Sequence, residues 1–213
     1  MKNTFNIGII GSGSIGGLLG KFWANAGHKV MFSSRNPEKL TPLIDEIGNN
    51  AQAGSIVEAS EFGDIVLLAV NYQTVDEALE KVRSLLDNKI VIDATNPLAY
   101  DDNGKIFRMI PEDITAGEFM AKKLPNTKLI KSFTTLWSEY LRKESFRDDE
   151  LLVMPISGDD EAAKNKVSQL IEQAGFLPYN LGTLKDSKPQ DPGSPIWNKP
   201  LTLSEFKIIH TNT

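Results

Sequence analysis

A glycine triplet, Gly11-Ser12-Gly13-Ser14-Ile15-Gly16, stands between an apolar, β-prone run (Phe5 to Ile10) and a stretch of helical periodicity reaching Gly27. Glycine triplets alone are common in loops; the strand before and the helix after give this one its meaning. Gly11 allows the tight turn, Gly13 lets the backbone approach a pyrophosphate, and Gly16 lets the helix pack closely on the strand. The N–H groups that open such a helix point at phosphates, and the helix dipole favours their charge. The stretch predicts a dinucleotide site on Gly11, Ser12, Gly13, Ser14, Ile15 and Gly16.

The next strand, His28 to Ser34, predicts which dinucleotide. An NAD-preferring site usually ends this strand in Asp or Glu, which accepts from the ribose 2′-OH. Here Ser33-Ser34-Arg35 stands there, followed by Lys39, and no acidic residue lies between His28 and Asn36. A hydroxyl followed by a planar guanidinium suits a 2′-phosphate that a carboxylate would repel. The expected cofactor is NADP(H).

At 213 residues the chain is long enough for one sizeable core, or one domain with an appendage. A net charge of −5 and a pI near 5.2 argue against nucleic acid or an anionic membrane as the main partner. The absence of cysteine excludes disulfides, thiolate catalysis and Cys-ligated metal. No apolar run reaches the roughly 18 to 20 residues that span a bilayer, and a strand begins almost at the N-terminus. A soluble, cytoplasmic protein is expected.

The rest alternates strand and helix. Helical signals cover 37–48 and, after a possible capping box at Ser55 and Glu58, a short segment beyond. Asp64 to Val70 is a continuous apolar run, as expected of a parallel strand buried on both faces. A helix follows from about Thr74 to Leu86, then a strand from Lys89 to Ala94 closed by Thr95-Asn96-Pro97-Leu98. Residues 99–114 are polar and turn-rich and read as a surface excursion. Ala116 to Lys123 reads as helix, Lys128 to Phe133 and Leu151 to Ser157 as strands, 158–174 as a helix and Phe176 to Asn180 as a last strand. The pattern predicts an α/β, Rossmann-type, doubly wound, mostly parallel sheet: a single domain over 1–182, with an irregular, proline-rich tail over 183–213. A capping box at Thr202 and Glu205 would open a short terminal helix.

With these segments in place the chain resembles the NADPH-dependent deazaflavin (coenzyme F420) reductase family of dinucleotide-binding oxidoreductases. The resemblance rests on Ile9 to Gly16, Gly27-His28, Ser33 to Lys39, Asp64 to Tyr72, Val91 to Leu98, Lys131 to Leu136 and Gly158 to Gly182. It implies that Ser34, Arg35 and Lys39 hold the 2′-phosphate. It further implies that Ala69, Val70, Asn71 and Tyr72 lie beside the nicotinamide half. Thr95, Asn96 and Pro97 would approach the nicotinamide and its hydride acceptor, together with the Thr134–Ser138 turn and its Ser138. Asn71 stands where many members have proline, Trp137 stands where another proline can follow, and the tail is unlike the longer helical ending of the deazaflavin reductases.

Hydride exchange between two carriers asks only that nicotinamide C4 and the acceptor carbon be held about 3 to 3.5 Å apart and dry. No acid–base residue is obligatory, and no catalytic side chain or metal ligand is assigned. Asp93 reads as a structural hydrogen-bond acceptor, and Asp159-Asp160-Glu161 as helix N-terminal charge. Tyr72, Trp137 and Trp197 suit either stacking on a flat ligand or packing. Three functions stay open: a reductase passing hydride from NADPH to a deazaflavin or flavin-like acceptor, a reductase of a small carbonyl, imine or ferric chelate, and a non-catalytic NADPH sensor. A homodimer is expected, with the tail and Trp197 at its two-fold interface.

Overall fold

The computed structural model describes residues 4–101 and 103–211. In chain order the elements are β1 (Asn6–Ile10), α1 (Gly16–Asn25), β2 (Lys29–Ser33), α2 (Thr41–Ile47), β3 (Ala51–Gly54), α3 (Ile56–Phe62), β4 (Ile65–Leu68), α4 (Val75–Val82) and β5 (Ile90–Asp93). Then come β6 (Leu98–Tyr100), β7 (Ile106–Arg108), α5 (Ala116–Lys123), β8 (Lys128–Ser132), α6 (Ser138–Glu144), β9 (Val153–Gly158), α7 (Glu161–Gln173), β10 (Leu177–Gly182) and α8 (Leu203–Thr211).

Eight strands form one sheet in the order β3-β2-β1-β4-β5-β8-β9-β10. All neighbours are parallel except β8 and β9, which pair antiparallel with Ile130 opposite Gly158 and Ser132 opposite Ile156. The winding reverses between β1 and β4, where a doubly wound sheet opens a crevice at its strands' carboxyl ends.

The period of two in the strands divides the core. Ile65 and Leu67 of β4 and Ile90 and Ile92 of β5 face one cluster, with Leu19 and Trp23 of α1 and Val167, Leu170 and Ile171 of α7. Val66, Leu68 and Val91 face the other, with Val75, Leu79 and Val82 of α4 and Met120 of α5. Trp23 donates its indole N–H to the Leu170 carbonyl at 2.9 Å, so its large ring is buried without an orphaned donor.

Local signals are met where they rest on side-chain chemistry. Ser55 Oγ accepts from Glu58 N and the Glu58 carboxylate accepts from Ser55 N, a complete capping box. The Ser55 backbone N–H, followed by the Ser55 hydroxyl, holds the Glu58 carboxyl below its ordinary range. Asp160 caps α7 by accepting from Ala163 N at 2.8 Å. His28 is buried at the turn into β2, accepting from Phe5 N and bridging to Gln173. The other end of α3 is closed from outside: Lys89 Nζ donates to the Ser60, Glu61 and Gly63 carbonyls at 2.6, 2.9 and 2.8 Å. Lys89→Met, which keeps the stem and removes the donors, is expected to destabilise the fold by about 1–2 kcal/mol in urea titration.

Two points of the sequence reading require correction. The stretch 99–114 is not a plain surface excursion: β6 and β7 form an antiparallel hairpin, Leu98 opposite Arg108 and Tyr100 opposite Ile106, with residue 102 outside the described residues. Its strands, each three residues long, are too short to leave a periodic pattern. Arg108 holds it down, donating to Asp191 Oδ2 at 3.0 Å and to the Ile114 carbonyl at 2.6 Å. The second correction is α6, absent from the sequence reading because only Leu141 of its seven residues is buried. The tail is irregular, as expected, and well anchored. Ile196 and Phe206 join Val153 in a third apolar cluster, and Gln190 and Asp191 are buried. Among the described residues no helix is long and apolar enough to cross a membrane.

Candidate functional site

At the carboxyl ends of β1, β2, β4 and β5 the surface opens into two lobes, of about 720 and about 600 Å³, that share Gly13, Ala69, Val70 and Asn71. The glycine turn forms the ridge between them. Gly11 has φ +96°, and a Cβ there would come within 2.6 Å of the Ala69 carbonyl. A Cβ on Gly16 would sit 2.1 Å from the Gly11 carbonyl, so α1 packs on β1 only because that position is bare. Gly13 differs: nothing lies within 4 Å of where its Cβ would be. The open space over Gly13 is therefore cleft rather than protein. No side chain caps the N-terminus of α1, and no acidic residue occupies its first turn. Ser12 Oγ, buried at the same turn, has no hydrogen-bond partner among the described residues. This cradle matches what a pyrophosphate requires.

The first lobe runs toward the end of β2. Ser33, Ser34 and Arg35 line it, facing Thr74, Glu77, Ala78 and Lys81 of α4 and the turn before it. Ser34 Oγ accepts from Asn36 N at 3.1 Å, which sets the bend that turns Arg35 outward. Arg35 is exposed and makes no ion pair among the described residues.

The second lobe is aromatic. Tyr72, Tyr100, Trp137 and Trp197 line it with Leu98 and Leu136, around Thr95, Asn96 and Ser138. Trp137 and Trp197 meet edge to face, ring centroids 6.4 Å apart at 76°. The tail delivers Trp197: Asn198 N donates to the Thr135 carbonyl at 2.7 Å, and Asn198 Oδ1 accepts from Trp137 N at 3.2 Å. At the end of β8, Phe133 takes a left-handed φ of 59° while its ring stays fully buried. Beyond that turn Thr134 and Thr135 are buried, and Leu136, Trp137 and Ser138 line the lobe. Burial, followed by the carboxylates of Asp93 and Asp76, holds the Tyr72 phenol well above its ordinary range, so it remains a neutral O–H at any working pH. Among the described residues no group of His, Asp or Glu is disposed to hold a metal ion.

Of the residues predicted from sequence, Gly11, Ser12, Ser33, Ser34 and Arg35 line the first lobe, and Ser14, Ile15, Tyr72, Thr95, Asn96 and Ser138 the second; Gly13, Ala69, Val70 and Asn71 serve both. Gly16, Lys39 and Pro97 line neither. Gly16 lies beneath the turn, Pro97 is buried, and Lys39 stands exposed on a 3-10 turn at Pro37–Leu40. Sequence reading missed the α4 wall. The spacing of Thr74, Glu77, Ala78 and Lys81 (i, i+3, i+4, i+7) marks one helix face beside the buried one, but nothing in it signals a ligand.

A glycine-ridged cleft across the reversal point of this sheet defines a dinucleotide-binding protein of Rossmann type. Residues 6–97 match the family model described as NADP oxidoreductase, coenzyme F420-dependent. The matched stretch takes in β1 to β5 and the turn that follows β5. The F420-dependent NADP reductase of Methanocaldococcus jannaschii is 27% identical over 173 residues, covering 76% of each chain. Metalloreductase STEAP3 of Rattus norvegicus is 26% identical over 187 residues, 88% of this chain but 36% of the relative, so this chain spans about a third of that protein's length. Among solved structures, a hypothetical protein of Sinorhizobium meliloti superposes with a TM-score of 0.81 at 29% identity, covering 94% of this chain and 96% of the other.

Proposed function

We propose that this protein is an NADPH-dependent reductase that passes hydride to a flat, deazaflavin or flavin-like acceptor. The observation that carries the reading is the two-lobed cleft. One lobe ends at Ser34 and Arg35, the other is walled by aromatic rings, and Gly13 stands where they meet. In this reading Arg35 and Ser34 hold the 2′-phosphate, and the Ser12–Ile15 turn and the uncapped start of α1 hold the pyrophosphate. Thr95, Asn96 and Ser138 line the nicotinamide end. When bound, NADPH supplies the hydride. The chain orients the two partners and excludes water with Leu98, Leu136, Trp137 and Trp197.

The rat relative is named a metalloreductase, and for that reason a metal chelate belongs in the panel of acceptors. NADPH oxidation followed at its absorbance band, against a panel of deazaflavin, flavin, small carbonyl and imine compounds and ferric chelate, tests the reading. Turnover with the deazaflavin or flavin above that with all the others is expected. Turnover confined to a carbonyl, imine or bare chelate would favour the second function, and tight NADPH binding without any turnover would leave a sensor. A homodimer belongs to the same reading, supported by the exposed apolar side chains of the hairpin, Tyr100, Ile106 and Phe107. Light scattering that returns a monomer with and without NADPH would remove it.

A further inference from the structure

Lys131 and Asp93 form an ion pair in the middle of the sheet, Nζ to Oδ2 2.8 Å, with side chains 0% and 1% exposed. A pair this deep is a poor stabiliser, because removing two charges from water costs about as much as their attraction returns. The partners that the two side chains share are more telling. Asp93 Oδ1 accepts from both Thr95 N (2.9 Å) and Thr95 Oγ1 (2.6 Å), and Lys131 Nζ also donates to the Thr95 carbonyl (2.5 Å). Every polar group of Thr95 is thereby tied to one charged pair.

Thr95 and the next residue, Asn96, line the second lobe. Asn96 Nδ2 donates to the Thr134 carbonyl at 3.0 Å, and its buried Oδ1 has no partner among the described residues. The pair is braced from behind by the tail. The Gln190 side-chain amide lies 2.7 Å from Ser157 Oγ; turned so that its oxygen accepts there, its nitrogen donates to the Lys131 and Pro155 carbonyls at 3.1 and 3.2 Å, which satisfies every partner.

We infer that Lys131 and Asp93 are positioning residues. The pair clamps the backbone after β5 so that Thr95 and Asn96 present a fixed wall to the nicotinamide half of the dinucleotide. The assignment rests on the proposed reading of the cleft. It separates the two lobes energetically, since the clamp reaches the second lobe and does not touch the first.

The test compares NADPH with 2′,5′-ADP, which fills the first lobe only, by calorimetric titration of the full chain. The ratio of the two dissociation constants measures what the nicotinamide half adds. Lys131→Met alone leaves a bare buried carboxylate and risks unfolding, so the informative proteins are two double variants. Asp93→Leu with Lys131→Met removes both charges and all three bonds to Thr95. Asp93→Asn with Lys131→Met retains an acceptor for Thr95 N and Oγ1.

The Leu/Met protein is expected to fold, bind 2′,5′-ADP as the wild type does, and lose about tenfold in the ratio, the equivalent of one displaced hydrogen bond of about 1.4 kcal/mol. The Asn/Met protein is expected to recover most of that loss. A wild-type ratio in a folded Leu/Met protein would overturn the inference, leaving the pair a packing element. So would equal weakening of both ligands, or an Asn/Met protein no better than Leu/Met. A wild-type protein that binds neither ligand would instead overturn the proposed function.

Discussion

Arg35→Ala is expected to abolish most of the preference for NADPH over NADH. The guanidinium stands exposed at the end of the first lobe, beyond a buried Ser33 and a half-buried Ser34, with no ion pair among the described residues. A 2′-phosphate carries nearly two negative charges, and each charge-assisted hydrogen bond to it contributes roughly 1.5 to 3 kcal/mol. At about 1.4 kcal/mol per tenfold change in affinity, wild-type protein should favour NADPH by at least tenfold. The variant should weaken NADPH and leave NADH nearly unchanged, because NADH offers the guanidinium nothing to hold. Ser34→Asp should reverse the preference: its carboxylate repels the phosphate and accepts from the ribose hydroxyls. Titration of both nucleotides against the three proteins checks this. Equal weakening of both by Arg35→Ala would show that the residue serves the loop rather than the ligand.

Gly13→Val is expected to separate folding from binding. A Cβ at Gly13 meets no protein atom within 4 Å and its φ is not left-handed, so the folded chain accepts a side chain there. The same open space is the cradle proposed for the pyrophosphate, and a branched side chain would fill it. Loss of at least two positioned backbone hydrogen bonds, about 2.7 kcal/mol, should weaken both dinucleotides about a hundredfold, with the melting temperature unchanged. Gly16→Ala is the opposite case, because its Cβ would lie 2.1 Å from the Gly11 carbonyl, and the chain should lose stability first. A Gly13→Val protein that binds NADPH normally would move the site away from this turn.

The sheet was legible because its signals are local and strong. A run such as Ile65–Leu68 must be buried on both faces, and a run like that enters a parallel sheet with helices on each side. The glycine turn and the Ser34-Arg35 strand end were legible for a related reason: backbone geometry and charge at those positions admit few residue types. The hairpin at 98–108 and α6 were not legible, since three-residue strands and a helix with one buried residue leave almost no periodicity. Their positions depend on distant anchors, such as Arg108 on Asp191, 83 residues apart.

The second lobe shows the division most clearly. Tyr72, Tyr100, Trp137 and Trp197 have no common spacing, and a lone aromatic residue packs in a core as readily as it lines a cleft. They converge because Asn198 ties the tail to the Thr135–Trp137 backbone and Phe133 turns left-handed at the end of β8. The amino-acid sequence determined the sheet, the glycine ridge and the Ser34-Arg35 strand end, since each rests on the chemistry of a few adjacent residues. Only the tertiary structure decided the aromatic wall and the Lys131–Asp93 clamp on Thr95, since hydrogen bonds and ring contacts between distant segments form only once the sheet has brought them together.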